Sequence, residues 1–348
     1  MDLFQILEIT SITYNNSLSK VNADICSVAE KYKFKTIKFI WNNFTRNPFF
    51  YFKKKLKYFF GRYKCYNKIT DNSIILLQHP LHIANKRILK KLKSEKKVKY
   101  ISVVIDIEEL RQFYYSEFHR KEFELMLEIT DVLIVHNDIM ANFFLEKGVA
   151  KEKIISIESF DYLQENNNIV EFEKSVSFAG NLDIAQCSFI KNLNQIKNIK
   201  INLYGSNFDL SLLKVPNIIY HGSFPVDEIP KKLNRGFGLV WNGDSIDTCS
   251  GNFGQYLKYN NPHKLSLYLS CGLPVVIWKQ AAQADFVRKH NLGICVDNLK
   301  EAEQIISNIN ENDYEILQSS VDKIKPLLCS GYFTDKAIKH ALNLLQTK

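Results

Sequence analysis

Short apolar runs rich in β-branched and aromatic residues alternate with stretches of helical periodicity along most of the chain, the pattern of βαβ units around parallel sheets. In the first half the runs Leu3–Ile9, Thr36–Ile40, Ser73–Leu77, Tyr100–Ile105, Val132–Val135 and Ile154–Ile157 predict strands. Helical spacing near 20–32, 83–94, 117–129 and 138–147 fills the gaps between them. The polar, asparagine-rich stretch DYLQENNNIVEFEK, residues 161–174, reads as an interdomain connection. A second strand series then follows: Ser175–Phe178, Ile201–Tyr204, Ile218–His221, Phe237–Trp241, Pro274–Ile277 and Gly293–Val296. Ala337, Ile338, Ala341, Leu342, Leu344 and Leu345 repeat at helical spacing in the terminal unit 333–348. The expectation is two doubly wound α/β domains, 1–162 and 163–332, facing a cleft, with ligands at the carboxyl ends of their strands.

Composition fits that reading. The 348 residues are 46% apolar and 24% charged, with 24 Phe and 17 Tyr, which excludes a disordered chain and allows two cores. Seven cysteines at 26, 65, 187, 249, 271, 295 and 329 form no C-x-x-C pair. That scatter argues against a disulfide framework or zinc cluster and fits a reducing cytoplasm. MDLFQILEIT lacks the basic leader and apolar core of a signal peptide, and no apolar run reaches the roughly 18 residues of a span. The expectation is a chain neither exported nor integral to a membrane.

The net charge of +9 is unevenly placed. Between Arg46 and Lys99, sixteen lysines and arginines stand against Asp71 and Glu95. Within this region NPFFYFKKKLKYFFGRYK, 47–64, interleaves Phe49, Phe52, Leu56, Phe59 and Phe60 with cations, which suits a helix lying on a membrane surface. RNA or DNA could use the same composition, but no nucleic-acid motif accompanies it. The expected partner is the anionic inner leaflet, through 47–64 and 86–99, and not nucleic acid.

The densest polar stretch is WNGDSIDTCSGNFGQYLKYNNPHKLSLYLSCGLPVVIW, 241–278. Asn261 reads as a helix N-cap, Pro262 as the first helical residue and Gly272 as the stop, which makes Lys264 the third residue of the helix. A cation there opposes the macrodipole unless an anion sits between, and a helix N-terminus with a lysine suits a diphosphate. The alternative is a lysine that bends away into water. FAGNL (178–182) and LYGSNF (203–208) also follow strands, and Gly180 and Gly205 would let a nucleotide approach the backbone; Asn181 and Asn207 there suit Asx-turns equally. Asp244 and Asp247 are spaced for Mg²⁺, but position 242 is Asn, there is no D-x-D, and a sugar hydroxyl or helix N-terminus satisfies such acids as well, so no metal is expected. In VVIDIEELR, Asp106 lies just past a strand, a candidate general base or equally an acid that begins a helix; Glu108 and Glu109 read as acids that begin a helix.

DIEEL, IESFDYL, FAGNL with CSFI, FGLVWNGDSIDTCSG, FGQYLKYNNPHKLSLYL and PVVIW together resemble bacterial β-1,6-galactofuranosyltransferases of the O-antigen type. More distantly, they are similar to the glucosyltransferases that extend O-linked GlcNAc on serine-rich adhesins. The resemblance implies a GT-B fold whose C-terminal helix crosses back to the first domain. It implies a UDP-sugar donor in the second domain, a saccharide acceptor in the first, inversion, and no metal or other cofactor. Lys264 would hold the donor diphosphate, with Asn260, Asn261 and His263 shaping the turn, while Gly180 and Asn181 line the donor cleft. Phe224, in HGSFPVDE, lies where relatives place the nucleobase, and Asp244, Thr248 and Ser250 are candidates for sugar or ribose contacts.

Two departures stand out. Relatives often have His before the aspartate of DIEEL, where this chain has Ile105, and a basic residue after FAGNL, where it has Asp183, Ile184, Ala185 and Gln186. The implied activity is transfer of galactofuranose from UDP-galactofuranose to a hydroxyl of a lipid-linked surface polysaccharide, by a cytoplasmic enzyme peripheral to the inner membrane. Two rivals stay open: a UDP-glucose or UDP-GlcNAc transferase acting on a glycan or glycoprotein, and a noncatalytic glycan- or membrane-binding partner of a second transferase. A second copy of the chain is a further candidate partner.

Overall fold

The computed structural model describes residues 1–10, 17–41, 65–82, 86–113, 115–165 and 169–346. The basic aromatic segment 47–64 lies outside these described residues. Two compact units divide the chain: Met1–Glu109, Tyr114–Ile157 and Thr334–Lys348 form the first, Leu110–Phe113 and Glu158–Phe333 the second.

The first unit is built on six parallel strands, β1 (Leu3–Thr10), β2 (Lys35–Trp41), β3 (Ile74–His79), β4 (Lys99–Val104), β5 (Val132–Val135) and β6 (Ile154–Ser156), in the order β2-β1-β3-β4-β5-β6. Strand β3 is buried along its whole length, as the continuous apolar run of a doubly covered parallel strand requires. The helices α1 (Ser17–Glu30), α2 (Lys86–Lys96), α3 (Glu108–Arg111), α4 (Glu117–Ile129) and α5 (Asp138–Glu146) connect the strands. Several lysines of α2 are committed within the fold. Lys93 donates to both oxygens of Asp131 at 2.9 and 2.8 Å, and Lys96 donates to the carbonyls of Tyr66 and Ile69 at 2.7 and 2.5 Å.

The second unit has β7 (Glu171–Ala179), β8 (Lys200–Tyr204), β9 (Ile218–Tyr220), β10 (Arg235–Val240), β11 (Val275–Trp278) and β12 (Gly293–Val296), ordered β12-β11-β10-β7-β8-β9, all parallel. The chain enters at β7, runs outward to β9, and returns to β10 on the other side of β7. That reversal between β7 and β10 is the topological switch point at which such sheets bind ligands. Its helices are α6 (Gly251–Tyr256), α7 (His263–Cys271), α8 (Ala284–His290), α9 (Leu299–Asn308) and α10 (Glu311–Ser330). The stretch 161–174 is not wholly a connection. Strand β7 starts at Glu171, and Tyr162 is buried, its amide donating to Leu328 O at 3.1 Å and its hydroxyl to Val226 O at 3.0 Å.

Gly331, at φ 84°, ends α10 and lets the chain turn into α11 (Tyr332–Gln346). From Thr334 onward this helix belongs to the first unit. There Lys99 donates to Leu345 O at 2.8 Å, and Tyr32 Oη donates to Asp335 Oδ1 at 3.0 Å. No helix among the described residues is long and apolar enough to cross a membrane.

Candidate functional site

The site is built on α7. Its residues Leu265 to Cys271 are all buried, and it ends on Gly272 at φ 90°. Tyr268 and Lys264 are four apart and so share a face. Tyr268 lies flat on Gly238 of β10, where a side-chain Cβ would come within 2.1 Å of its ring, and its hydroxyl accepts the Ala179 N–H at 2.8 Å. The helix is thereby registered against the end of β7. One turn earlier, Lys264 therefore lies over the next residue of that strand end, Gly180. A Cβ on Gly180 would meet Lys264 Cε at 2.9 Å and Nζ at 3.3 Å, and Gly180 sits at φ +154°.

The ammonium of Lys264 lies 4.2 Å from the centroid of the Phe178 ring, a cation–π contact. Among the described residues no carboxylate comes within ion-pair range of it. Burial lowers its pKa, while Cys187 and Cys249 pull the other way more weakly. The result is a half-buried cation at the head of a helix, facing an aromatic ring, with its charge uncompensated. The N-terminus of α7 is the positive end of its macrodipole, so lysine and helix end present one positive surface suited to an anion.

The helix starts one residue later than the sequence predicts. Pro262, at φ −69° and ψ 126°, is the N-cap and His263 the first residue, so Lys264 is the second rather than the third. Asn261 does not cap. Its amide donates to Glu158 O at 3.1 Å, and its Oδ1 accepts from Gln283 Nε2 at 2.5 Å, while Gln283 also donates to Glu158 O at 3.0 Å. The turn that delivers Lys264 is thus pinned by two buried amides. His263 packs its ring 5.2 Å from that of Tyr162, and the Oδ1 of Asn260 is buried.

Gly180 and Gly205 come together: a Cβ on Gly205 would lie 1.6 Å from Gly180 O. Asn181 serves the turns. Its Oδ1 accepts from Asp183 N at 3.1 Å and from Asn207 Nδ2 at 2.8 Å, which ties the loops after β7 and β8. Phe224 is half-buried beside Tyr204, ring centroids 6.4 Å apart, with Lys232 Nζ 5.2 Å above it. Asp244 accepts from Ser188 Oγ at 3.1 Å and lies against Gly251 at the start of α6. Asp247 Oδ2 accepts from Ser245 Oγ at 3.2 Å. Ser250 occupies the N-cap position of α6 without a side-chain hydrogen bond, its N–H bonded to Thr248 O at 2.9 Å. Phe178, Cys187, Cys249 and Tyr268 complete the setting of Lys264; their sequence signal was merely apolar.

In the first unit, Asp106 stands between β4 and α3, and its N–H donates to His79 O at 3.4 Å. Glu109, which reads from sequence as a helix-start acid, is set apart by its surroundings. Burial raises its carboxyl to about 7, helped by the charges of Glu122 and Glu108. Glu122 and His79 form a buried pair, Oε1 to Nδ1 2.6 Å. His136, also buried, holds Val104 O through Nε2 at 3.1 Å, and burial pushes its pKa down to about 3, so it is neutral.

Comparison with known proteins agrees with this architecture. Residues 5–159 match the N-terminal domain, and 176–341 the C-terminal domain, of the glucosyltransferase 3-like family. The chain is 35% identical over 259 residues to β-1,6-galactofuranosyltransferase WbbI of Escherichia coli K12, covering 72% of this chain and 74% of that protein. It is 25% identical over 246 residues to glucosyltransferase 3 of Streptococcus gordonii, 70% of this chain and 71% of the other. Among solved structures, HepE of Anabaena in complex with UDP superposes with a TM-score of 0.59 at 13% identity, covering 99% of this chain and 100% of that one. That likeness shows the fold, two Rossmann-like domains of the GT-B class.

Proposed function

Because the chain belongs to the glucosyltransferase 3-like family and is a glycosyltransferase, we propose that it transfers galactofuranose from UDP-galactofuranose to a hydroxyl of a lipid-linked surface polysaccharide. The observation that carries the donor half is Lys264, an uncompensated cation at a helix N-terminus, seated on Gly180 at the sheet's switch point. A diphosphate supplies the charge that this geometry lacks. The complex of HepE with UDP supports a uridine nucleotide, and the relation to WbbI supports the sugar.

The transfer proceeds with inversion. Asp106 takes the proton of the acceptor hydroxyl, the acceptor oxygen bonds to the anomeric carbon, and the bond from that carbon to the diphosphate breaks. Lys264 and the first amides of α7 stabilise the charge that develops on the leaving UDP, in place of a metal ion. Phe224 is assigned to the nucleobase, and Thr248 and Ser250 to sugar or ribose hydroxyls.

The test is a panel of UDP-galactofuranose, UDP-galactopyranose, UDP-glucose and UDP-GlcNAc with purified protein, with and without chelator, read as UDP release and product mass. UDP-galactofuranose turns over fastest, chelator leaves the rate unchanged, and Lys264→Ala lowers it by about 10²–10³. Near-normal turnover by Lys264→Ala would remove the diphosphate assignment. A second reading, UDP-glucose or UDP-GlcNAc as donor, rests on the relation to the streptococcal glucosyltransferase, and the same panel decides it. Binding of UDP with no turnover on any donor would instead favour a noncatalytic partner. For the peripheral location, the protein binds vesicles containing anionic lipid and is released by salt; failure to bind at low salt would remove that claim.

A further inference from the structure

We infer that Glu122 is a positioning residue of the transfer, a buried carboxylate that fixes the strand end carrying Asp106. The inference rests on the reading of Asp106 as the base.

The arrangement starts from register. His79 ends β3 opposite Val104 of β4, and its carbonyl accepts the N–H of Ile105 at 2.8 Å and of Asp106 at 3.4 Å. The position of Asp106 thus depends on where the backbone of His79 is held. That backbone is anchored from α4. One oxygen of Glu122 lies 2.6 Å from His79 Nδ1 and accepts the Leu81 N–H at 2.9 Å, so a single carboxylate brackets the end of β3 on both sides. From the other flank, His136 holds Val104 O. Ile105 brings no imidazole to this turn; those of His136 and His79 flank it from the ends of β5 and β3, the first on Val104 O and the second on Glu122.

Glu122 is 4% exposed and His79 1%. A buried hydrogen-bonded pair of this kind adds little stability over apolar side chains of the same volume, so its use points to geometry or charge. Burial pushes the carboxyl of Glu122 up, but His79 beside it and the Leu81 N–H more than offset this, with a smaller contribution from His82; the group stays ionised. Its charge reaches Glu109. Around Glu109, burial is the largest influence, its own backbone amide opposes it, Glu122 and Glu108 raise it further, and Lys147 lowers it. Glu109 is therefore protonated in mildly acidic solution and ionises near pH 7. A new charge three residues from Asp106 raises the proton affinity of the base. Turnover should accordingly rise through an inflection in that region.

Two substitutions separate the roles. Glu122→Gln keeps an amide oxygen for the Leu81 N–H and the imidazole but removes the charge; Glu122→Ala removes both. The assay is kcat against pH over roughly pH 5 to 9, with UDP affinity and circular dichroism as controls. In Glu122→Gln the inflection moves to lower pH while UDP affinity holds. In Glu122→Ala kcat falls by about 10²-fold at unchanged UDP affinity, the scale of a base displaced by an ångström. A Glu122→Gln profile that superimposes on the wild type, or wild-type kcat in Glu122→Ala, overturns the inference. If Glu122→Ala does not fold, Glu122→Gln alone decides. Asp106→Asn in the same assay tests the underlying assignment separately: retained turnover there sinks the base, whatever Glu122→Gln does.

Discussion

Gly180→Ala is the sharpest probe of the donor site. The new methyl would stand 2.9 Å from Lys264 Cε and 3.3 Å from Nζ, at a φ of +154° that L side chains rarely adopt. The neighbour is the far end of a flexible side chain, so the collision is relieved by Lys264 swinging away from the Phe178 ring. Backbone strain costs about 1–3 kcal/mol of stability, and the lost cation–π contact about 0.5–2 kcal/mol. The functional loss is that of the diphosphate contact itself, a factor of about 10²–10³ in kcat/KM. Because both single changes remove the same interaction, Gly180→Ala and Lys264→Ala should not add. In the double variant the rate stays near that of Lys264→Ala, leaving a coupling of about 3–4 kcal/mol in the cycle. The assay is kcat/KM for the UDP-sugar together with calorimetric UDP affinity for the four proteins. If the two losses multiplied instead, the lysine and the glycine would be acting independently, and the geometry given for the site would be wrong.

Three further outcomes follow from the same structure. Tyr268→Phe leaves the buried Ala179 N–H without its acceptor at 2.8 Å and should cost about 1–3 kcal/mol in urea unfolding; an unchanged midpoint would contradict the role of the hydroxyl. Gly205→Ala drives a methyl to 1.6 Å from the backbone oxygen of Gly180, which no rotamer change relieves; it should cost about 4 kcal/mol or more, far more than Gly180→Ala, by the same denaturation. His136 is held neutral by burial, with a pKa of about 3 against 6.5 for the ordinary side chain. The unfolded state thus binds more protons between those values, and stability falls as pH drops through that window, by up to about 1.4 kcal/mol per pH unit. Unfolding midpoints of wild type and His136→Gln should converge across that range, and a constant difference would refute it.

The fold was largely legible because its signals are local. Short apolar runs, period-3.6 patterning, the β-branched strands and the glycine at 272 each follow from a few consecutive residues. Errors came where a residue had two local uses. Asn261 satisfies the N-cap rule, yet its side chain is taken by Glu158 and Gln283, and Pro262 becomes the cap. Glu171 to Lys174 read as polar connection, yet they open β7, where Glu173 pairs with Lys200 at 2.8 Å. Glu109 was read as a helix-start acid because its first-turn position explains it fully. What distinguishes it is its burial, to which Glu122 on another helix adds its charge.

The sequence by itself determined the strand and helix alternation, the doubling of the α/β unit, and a lysine placed against the dipole of its own helix. Tertiary structure alone decided that this lysine meets Gly180 and Phe178, that Gly205 abuts Gly180, and that His79 and Glu122 hold the turn of Asp106. The physical reason is that these pairings join residues 25 to 86 positions apart along the chain. Their distances are fixed by where parallel strands end and how Tyr268 registers a helix on a sheet. No local pattern encodes such a coincidence, whereas burial and charge compensation read it directly.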